Sequence, residues 1–480
     1  MINSVNVFLK YIQKFNLQVA IENDIPVLKV IGENKNANTT PESAELKVFQ
    51  DFLEKNKAKT LAVLTGKPIR KNPKDIIRLY RMSGMQEGIM FHTLFDDDSF
   101  AYKEQFVADV NAIDTEGFLR AWHYVIQKHS IFRTAFFYDQ LKIPVQGVYA
   151  DAELPFTEFD LSHLTGKALK SAIQEIELAE RKTRFNLNYP PLMRVTLVKT
   201  GKNSNRLIWT WHHILLDGWS MPIVIEELLN TYQHIISGKA LPPISEDKFE
   251  DFIRYSEHIN KAEAENHWKK YISGFQKPSF LPFISNAANR TKGIGDYKLI
   301  GFTLNETLNK YVQTYAQQNR ITINTLMQGV WARLLHFYTG SNDVVFGAIV
   351  SGRPDDLPDV EQKVGLFINS LPVRSVLDTS KPVSTWLQEL QQSQVLSRQF
   401  QNTQLKDIQG FASIQGDLFD HLFVFENYPV SSILSTNEWA LKLSNYEIHD
   451  QSNYPLSVII YGAQSITVEF LFNSNLLSES

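Results

Sequence analysis

The first 65 residues carry two kinds of hydrophobic spacing within a short length of chain. Residues 5–15 place apolar side chains at the i, i+3, i+4, i+7 spacing of an amphipathic helix. The alternating segment LQVAI (17–21), the turn residues ENDI and the run PVLKV (26–30) predict a β-hairpin. A polar loop and a second helical period follow. The pattern predicts a helix, hairpin, helix unit over residues 1–65.

The predicted hairpin leaves one strand edge uncovered. A two-stranded sheet is marginal by itself, and an open edge can accept an extended peptide as a third strand. Pro26 cannot donate a ladder hydrogen bond, which also places its strand at an edge. Two interpretations stay open, a peptide-docking unit and a decorative extension. If the unit docks a peptide, the expected edge consists of Val27, Leu28, Lys29 and Val30.

The rest of the chain mixes strand and helix periods. A stretch rich in Lys, Arg and Pro (66–76) is typical of a linker. Beyond it, strand-like runs such as LIWTW and DVVFGAIV alternate with helical periods such as MPIVIEELLNTYQHII, which predicts a mixed α+β or α/β fold. A soft boundary between about 237 and 295 divides this body into two lobes, expected at 77–255 and 256–480.

Composition narrows the function classes. The chain has 480 residues, 43% of them apolar and 21% charged, with a net charge of −4 and no cysteine. The sequence has no cluster of Lys and Arg interleaved with aromatic residues, which disfavours nucleic acid as a partner. Without cysteine there is no disulfide, thiolate metal site or Cys nucleophile. Neither a signal peptide nor an apolar run of 18 residues occurs, so we expect a cytoplasmic protein with no membrane partner.

The segment LIWTWHHILLDGWSM (207–221) concentrates polar chemistry at the end of an apolar strand and the turn into a helix. Strand alternation sends only one of its two histidines towards a cleft, so we expect His213 to be functional and His212 to be a core residue. Asp217 either orients the imidazole or locks the turn through a buried ion pair. Gly218 lets the backbone turn sharply and approach a ligand.

The simplest alternative for such a histidine is a satisfied core residue without function. A zinc site is disfavoured because the sequence has no HExxH motif and no third ligand near the histidines, so we expect no metal. A serine hydrolase is disfavoured because no GxSxG turn occurs.

The HHxxxDG spacing and four further segments resemble, in the right order, the core motifs of the condensation domains of nonribosomal peptide synthetases. These domains are members of the chloramphenicol-acetyltransferase-like superfamily. The resemblance covers roughly residue 76 to the end, and its segments are MSGMQEGIMFHTLF (82–95), KHSIFRTAF (128–136), HHILLDGWS (212–220), FEDFIRYSE (249–257) and VGLFINSLPVR (364–374). The first 65 residues, with LQVAIENDIPVLKV followed by LKVFQDFLEKNKAKTLAVL, resemble the TubC-type docking domains that precede some synthetase subunits.

The resemblance implies a V-shaped pair of acetyltransferase-like lobes with a tunnel between them and His213 near its middle. Donor and acceptor carrier proteins would bring an acyl or peptidyl thioester and an aminoacyl thioester on phosphopantetheine arms, so the chain itself would bind no cofactor. The implied reaction is amide formation. His213 would act as general base or as a hydrogen-bonding stabiliser of the tetrahedral intermediate, and the Gly218 N–H would donate to the oxyanion.

The resemblance assigns weaker roles to other residues. Asp217 is expected in a buried ion pair, with Arg133 as its partner and Arg353 as the alternative. From their helical or loop contexts, His92 and His129 are expected to be structural, and the segment AIVSGRPDDLPDVEQKVGLFINS (348–370) resembles the one that bridges the lobes beneath the tunnel. Possible tunnel residues are Ser83, Gln86, Trp219, Ser220, Asn369 and Asn453.

The motifs also indicate subtype and context. HHILLDGWSMPIV is closer to domains that accept an L-configured donor, and a docking unit implies an upstream synthetase protein whose C-terminal tail it binds. No carrier-protein serine motif and no adenylation loop occur, so we expect an N-terminal piece of a larger synthetase subunit. Two alternatives remain: an acyltransferase using coenzyme A, which shares HxxxDG, and a non-catalytic module that recruits carriers, against which the intact motif counts.

Overall fold

The computed structural model of the chain describes residues 17–22, 25–30, 75–95, 101–138, 141, 143–284, 290, 293–412, 414, 416–426, 433–434, 439–462 and 465–478. The two helices predicted to flank the N-terminal hairpin, and most of the predicted linker, lie outside these residues. None of the described helices is long and apolar enough to cross a membrane.

The N-terminal hairpin is present as predicted. Strands β1 (Leu17–Glu22) and β2 (Ile25–Val30) pair antiparallel, with Leu17 opposite Val30 and Glu22 opposite Ile25. The turn is shorter than the sequence suggested, because Ile25 of the predicted turn already belongs to β2. Among the described residues these strands form a sheet of two, which leaves the outer side of β2 without a neighbouring strand.

The first half of the main body contains two sheets. Sheet one has the order β14, β4, β9, β8, β7 and sheet two the order β3, β6, β5, where β14 comes from the second half of the chain. The strands are β3 (Ile76–Arg81), β4 (Lys103–Asn111), β5 (Thr134–Phe137), β6 (Val145–Tyr149), β7 (Phe156–Asp160), β8 (Met193–Lys199) and β9 (Ser204–His212); the helices are α1 (Gly84–Phe95), α2 (Thr115–Lys128), α3 (Gly166–Lys182), α4 (Ser220–Ile236), α5 (Glu250–Glu257) and α6 (Lys261–Ile272).

The second half is built on one six-stranded mixed sheet with the order β10, β16, β15, β13, β11, β12. Its helices α8 and α9 cover a core that includes Trp331, Phe346 and Trp386. The elements are β10 (Tyr297–Thr303), α7 (Glu306–Gln318), α8 (Ile323–Thr339), β11 (Asp343–Val350), β12 (Asn369–Val376), α9 (Val383–Arg398), α10 (Leu405–Phe411), β13 (His421–Glu426), β14 (Leu443–His449), β15 (Leu456–Tyr461) and β16 (Thr467–Asn473). The mixed α/β class matches the expectation.

Two segments of the second half cross the predicted boundary at 255/256 and pack into the first half. Strand β14 pairs antiparallel with β4, so that Leu443 lies opposite Val110 and His449 opposite Gln105. Residues 357–367 also pack into the core of the first half, with Val364 and Phe367 fully buried there. Each crossing brings second-half residues next to the loop that follows β9.

Strand β9 fixes the start of that loop. Its residues 205–212 are all buried, since β4 and β8 pair with both of its edges and helices cover the sheet. Helix α4 then begins at Ser220, so only seven residues connect two anchored elements.

Candidate active site

His213 stands directly after β9 at the wall of a large cavity. Its backbone N–H donates to the Tyr102 carbonyl at 2.9 Å, which ties it to the residue preceding β4. Its side chain is 14% exposed, and that exposure is to a cavity of about 1730 Å³. Residues of both halves line the cavity, among them Gly218, Glu426 and Asn453.

The imidazole is held through one ring nitrogen. Nδ1 of His213 lies 2.6 Å from the Leu216 carbonyl oxygen and 3.0 Å from Oε1 of Glu104. Because a carbonyl oxygen only accepts, Nδ1 must carry a proton. Nε2 is therefore the nitrogen that remains for a molecule in the cavity.

The surroundings favour the charged form of this ring. Burial by itself lowers the pKa of His213, but the carboxylate of Glu104, Asp450 and the Leu216 carbonyl together outweigh it and raise the pKa to about 10. Burial also raises the pKa of Glu104, which the charge of His213 partly offsets. The pair thus retains a proton to higher pH than a histidine in water.

Glu104, His213 and Asp450 bring atoms of metal-ligand type within 4.8 Å of one another. No motif in the sequence predicts this group. Since Nδ1 donates to Leu216, only Nε2 of the ring could ligate a cation. The two carboxylates are accounted for by the charge of the imidazole, and we assign no metal to them.

His212 has the opposite character from its neighbour. It is 2% exposed, its Nδ1 accepts from the Ile214 N–H at 3.2 Å, and its Nε2 lies 3.2 Å from Oγ1 of Thr93. Burial, with the charges of His213 and Lys103, lowers its pKa to about 3. His212 is a neutral core residue, which is the position that strand alternation predicts.

Asp217 lies in a closed network beneath the loop. It is fully buried, its Oδ1 accepts from the Ser220 N–H at 2.8 Å, and its Oδ2 accepts from the Phe367 N–H at 2.9 Å. Arg353 donates to Oδ1 at 3.3 Å and to Oγ of Ser220 at 3.0 Å. The arginine also stacks on the Phe367 ring. Asp217 therefore fastens the loop to the segment that crosses from the second half and does not contact the imidazole.

The prediction of Arg133 as the partner of Asp217 is wrong, and the alternative, Arg353, makes the contact. Arg133 is buried elsewhere, where it pairs with Glu246 and donates to the Tyr149 carbonyl at 2.6 Å. Residues 351–353 lie on the crossing segment between β11 and β12, and this brings an arginine 136 positions away to the loop.

Other residues predicted for the tunnel divide into two groups. Gly218, Asn369 and Asn453 line the cavity. Asn369 donates to the carbonyls of Gln401 and Thr403 at 2.7 Å, and Asn453 accepts from the Tyr102 hydroxyl at 2.7 Å. Both amides thus have structural partners at the cavity wall.

The second group supports the loop from outside the cavity. Gln86 and Ser220 are fully buried, and the prediction that they face the tunnel is wrong. Ser83 and Gln86 instead cap α1 reciprocally, through Ser83 N to Oε1 at 2.9 Å and Gln86 N to Oγ at 3.1 Å. Gln86 also donates to the Ile214 carbonyl, and Trp219 to the Glu361 carbonyl, so both hold the loop in place.

Sequence reasoning missed Glu104, Tyr102 and Asp450. The only signal for Glu104 is a charged residue at the start of a strand whose next five residues are nearly all buried. Its role follows only from the register of β4 on β9, which places Glu104 opposite Trp211 and so beside His213. Nothing in the local sequence links positions 104 and 213.

Comparison with known proteins is consistent with this geometry. A family model described as Condensation domain matches residues 76–480. A linear gramicidin synthase protein of Brevibacillus parabrevis is 35% identical over 404 residues, which cover 84% of this chain and 5% of that protein. Tyrocidine synthase 2 of the same organism is 31% identical over 406 residues, covering 84% of this chain and 11% of the synthase. The chain thus spans a small part of these relatives.

Solved structures share the fold. The first condensation domain of the calcium-dependent antibiotic synthetase, in complex with a substrate analogue, gives a TM-score of 0.65 at 16% identity, covering 84% of this chain and 92% of that one. The X-domain from teicoplanin biosynthesis gives 0.69 at 16% identity, covering 85% and 92%. Family model, sequence relatives and fold agree, and the chain belongs to the condensation domain family of nonribosomal peptide synthetases.

Proposed function

We propose that residues 76–480 join a donor acyl or peptidyl thioester to an acceptor aminoacyl thioester, each carried on the phosphopantetheine arm of a carrier protein. The observation that carries this proposal is His213, which lines a cavity of about 1730 Å³ and is held through Nδ1 by the Leu216 carbonyl. Pockets for a single small ligand measure roughly 300–1000 Å³. The cavity is therefore large enough for two substrates that meet at one imidazole.

The proposed chemistry needs little from the protein. The acceptor amine attacks the donor carbonyl carbon, the C–N bond forms, the C–S bond breaks, and the nitrogen loses a proton that ends on the departing thiol. In between, the carbonyl oxygen becomes negative. His213, charged near neutral pH, would donate from Nε2 to that oxygen, with the Gly218 N–H as a second donor. A charged imidazole of this kind would stabilise the tetrahedral intermediate and would not act as a general base.

Amide formation from loaded carriers tests the proposal. We expect product only when donor and acceptor are both carrier-bound, measured by mass spectrometry of the acceptor carrier. An L-configured donor should react faster than its D-epimer, since HHILLDGWSMPIV resembles L-accepting domains. Equal turnover with coenzyme A thioesters and no carriers would instead indicate a coenzyme A-dependent acyltransferase. No amide product under any condition would favour a non-catalytic module that recruits carriers.

We further propose that residues 1–65 form a docking domain, joined by the linker 66–76 to lobes at 77–255 and 256–480, and that it binds the C-terminal tail of an upstream synthetase subunit. The support is the hairpin, whose strand β2 (Ile25–Val30) has no neighbour on its outer side among the described residues. An extended peptide could pair along Val27, Leu28, Lys29 and Val30 as a third strand.

Deleting residues 1–65 should abolish binding of the upstream tail peptide and leave condensation of supplied carriers within about twofold of the full chain. The reason is that the catalytic loop has its described partners between residues 75 and 478. Calorimetry with the tail peptide and the carrier assay measure the two effects separately. Loss of both activities together would mean that the N-terminal unit belongs to the core of the enzyme.

A further inference from the structure

Glu104 occupies an unusual place for a carboxylate. It is 6% exposed, near the start of β4, and its Oε1 lies 3.0 Å from Nδ1 of His213. Burying a carboxylate is costly unless a charge or hydrogen bond compensates. Apart from the imidazole, the groups that most affect its pKa are the acids Asp450 and Asp217, which oppose its negative charge. His213 is the group that accounts for a charged residue at this position.

The charge balance around His213 depends on that carboxylate. Asp450, after β14, adds a second negative charge that also favours the protonated ring. The titratable and charged groups that face the pair are Glu104 and Lys103 from β4, His212 from β9, Asp217 from the loop, Asp450 after β14 and Glu426 from β13. Of these, Glu104 is the one in direct contact with the ring.

We propose that Glu104 is a positioning residue for the condensation reaction, which adds a negative charge beside the Nδ1–H that the Leu216 carbonyl already holds and so keeps the His213 ring charged, with Nε2 as a hydrogen-bond donor. The inference rests on the proposed amide formation and deepens it. A ring that already carries both protons cannot accept the proton of the amine. The acceptor amine must therefore react in its neutral form, and its proton passes to the departing thiol directly or through water.

The first test needs no substrate. Histidine labelled with ¹⁵N and ¹³C, with the His213 signal assigned from the His213→Ala variant, reports ring pKa and tautomer by NMR. We expect a pKa of His213 well above the ordinary value of about 6.5 and a proton on Nδ1 throughout. In Glu104→Gln, which keeps shape and a hydrogen-bond acceptor but loses the charge, the pKa should fall by at least about one unit.

The second test is the pH dependence of single-turnover condensation. If the pKa of His213 falls to about 6.5 in Glu104→Gln, roughly 3% of the ring stays charged near pH 8, and the rate should drop about thirtyfold there but less than twofold near pH 6. Glu104→Asp, which keeps the charge, should recover part of the rate near pH 8. A purely structural role would lower the rate equally at all pH values.

Glu177→Gln is the matched control. Glu177 is also a buried carboxylate, paired with Arg206 on β9 at 3.0 Å, and it does not touch the loop. Its neutralisation should leave the pKa of His213 and the shape of the pH profile unchanged. If the Glu104 variants do not fold, a wild-type His213 pKa near 6.5 would still overturn the proposal, because the ring would then not be charged at neutral pH.

Three results would overturn the proposal: a wild-type His213 pKa near 6.5, a Glu104→Gln variant with an unchanged His213 pKa, or a shifted pKa without a shifted rate profile. A wild-type protein that shows the raised pKa but forms no amide with loaded carriers would instead overturn the proposed function, so the two failures are distinguishable.

Discussion

Replacing His213 by alanine is expected to slow amide formation by roughly 10²- to 10⁴-fold, the usual contribution of one positioned proton-transfer or oxyanion-stabilising group. The loop should keep its position because Asp217 and Gln86 hold it, but the variant leaves the buried carboxylate of Glu104 without its partner and should lower the free energy of unfolding. Single-turnover rates with both carriers loaded would measure the chemical step. Thermal unfolding of the same preparation would show how much stability is lost and whether the variant is folded at the assay temperature.

His258→Ala is a suitable control for that variant. His258 is exposed at the end of α5 (Glu250–Glu257), and its Nδ1 lies 2.6 Å from the Arg254 carbonyl oxygen. Its removal should change neither rate nor stability measurably. Equal rates for wild type and His213→Ala would exclude this imidazole from the chemistry and remove the basis of the proposed mechanism.

The second large effect is expected on stability. Replacing Asp217 by alanine should lower the free energy of unfolding by about 3–5 kcal/mol, because it leaves the buried guanidinium of Arg353 without its carboxylate. The Phe367 and Ser220 N–H groups would lose an acceptor at the same time. Denaturant unfolding monitored by tryptophan fluorescence measures this directly.

Two comparisons make the Asp217 result interpretable. Asp355→Ala removes an exposed carboxylate from the same segment as Arg353 and should change stability by no more than about 0.5 kcal/mol. A double-mutant cycle of Asp217→Ala with Arg353→Ala isolates the pair, and its coupling energy should be about 0.5–3 kcal/mol. If Asp217→Ala keeps wild-type stability and still loses activity, the carboxylate acts in the reaction and not in the loop.

Periodicity predicted what is local in this chain. The hairpin, the mixed α/β class and the opposite fates of His212 and His213 all follow from alternation over a few residues. An arginine partner for Asp217 was also predictable in kind, because a buried carboxylate needs a cation. The identity of that arginine could not be predicted, because Arg133 and Arg353 both lie in segments that resemble family motifs or their surroundings. Only the packing of residues 351–367 against the first half brings Arg353 to Asp217.

Contacts between residues far apart in the sequence could not be predicted from local patterns. The contact of Glu104 with His213 depends on the register of β4 against β9, and Asp450 arrives only because β14 joins the same sheet. Gln86 was expected in the tunnel from the resemblance of MSGMQEGIMFHTLF to a condensation-domain motif, yet its amide bonds with Gln146 and the Ile214 carbonyl turn it away from solvent. Tertiary packing determines these contacts, and the periodicity of a single sequence does not report it.

The position of β14 has a consequence for biosynthesis. Strand β4 can pair with β9 as soon as the first half of the chain has been made, but its other edge waits for residues 443–449. During translation, more than two hundred residues separate the completion of β9 from the strand that covers this edge. An open edge beside an apolar core is prone to pair with foreign strands, so we expect the nascent chain to depend on chaperones until residues 443–449 have left the ribosome.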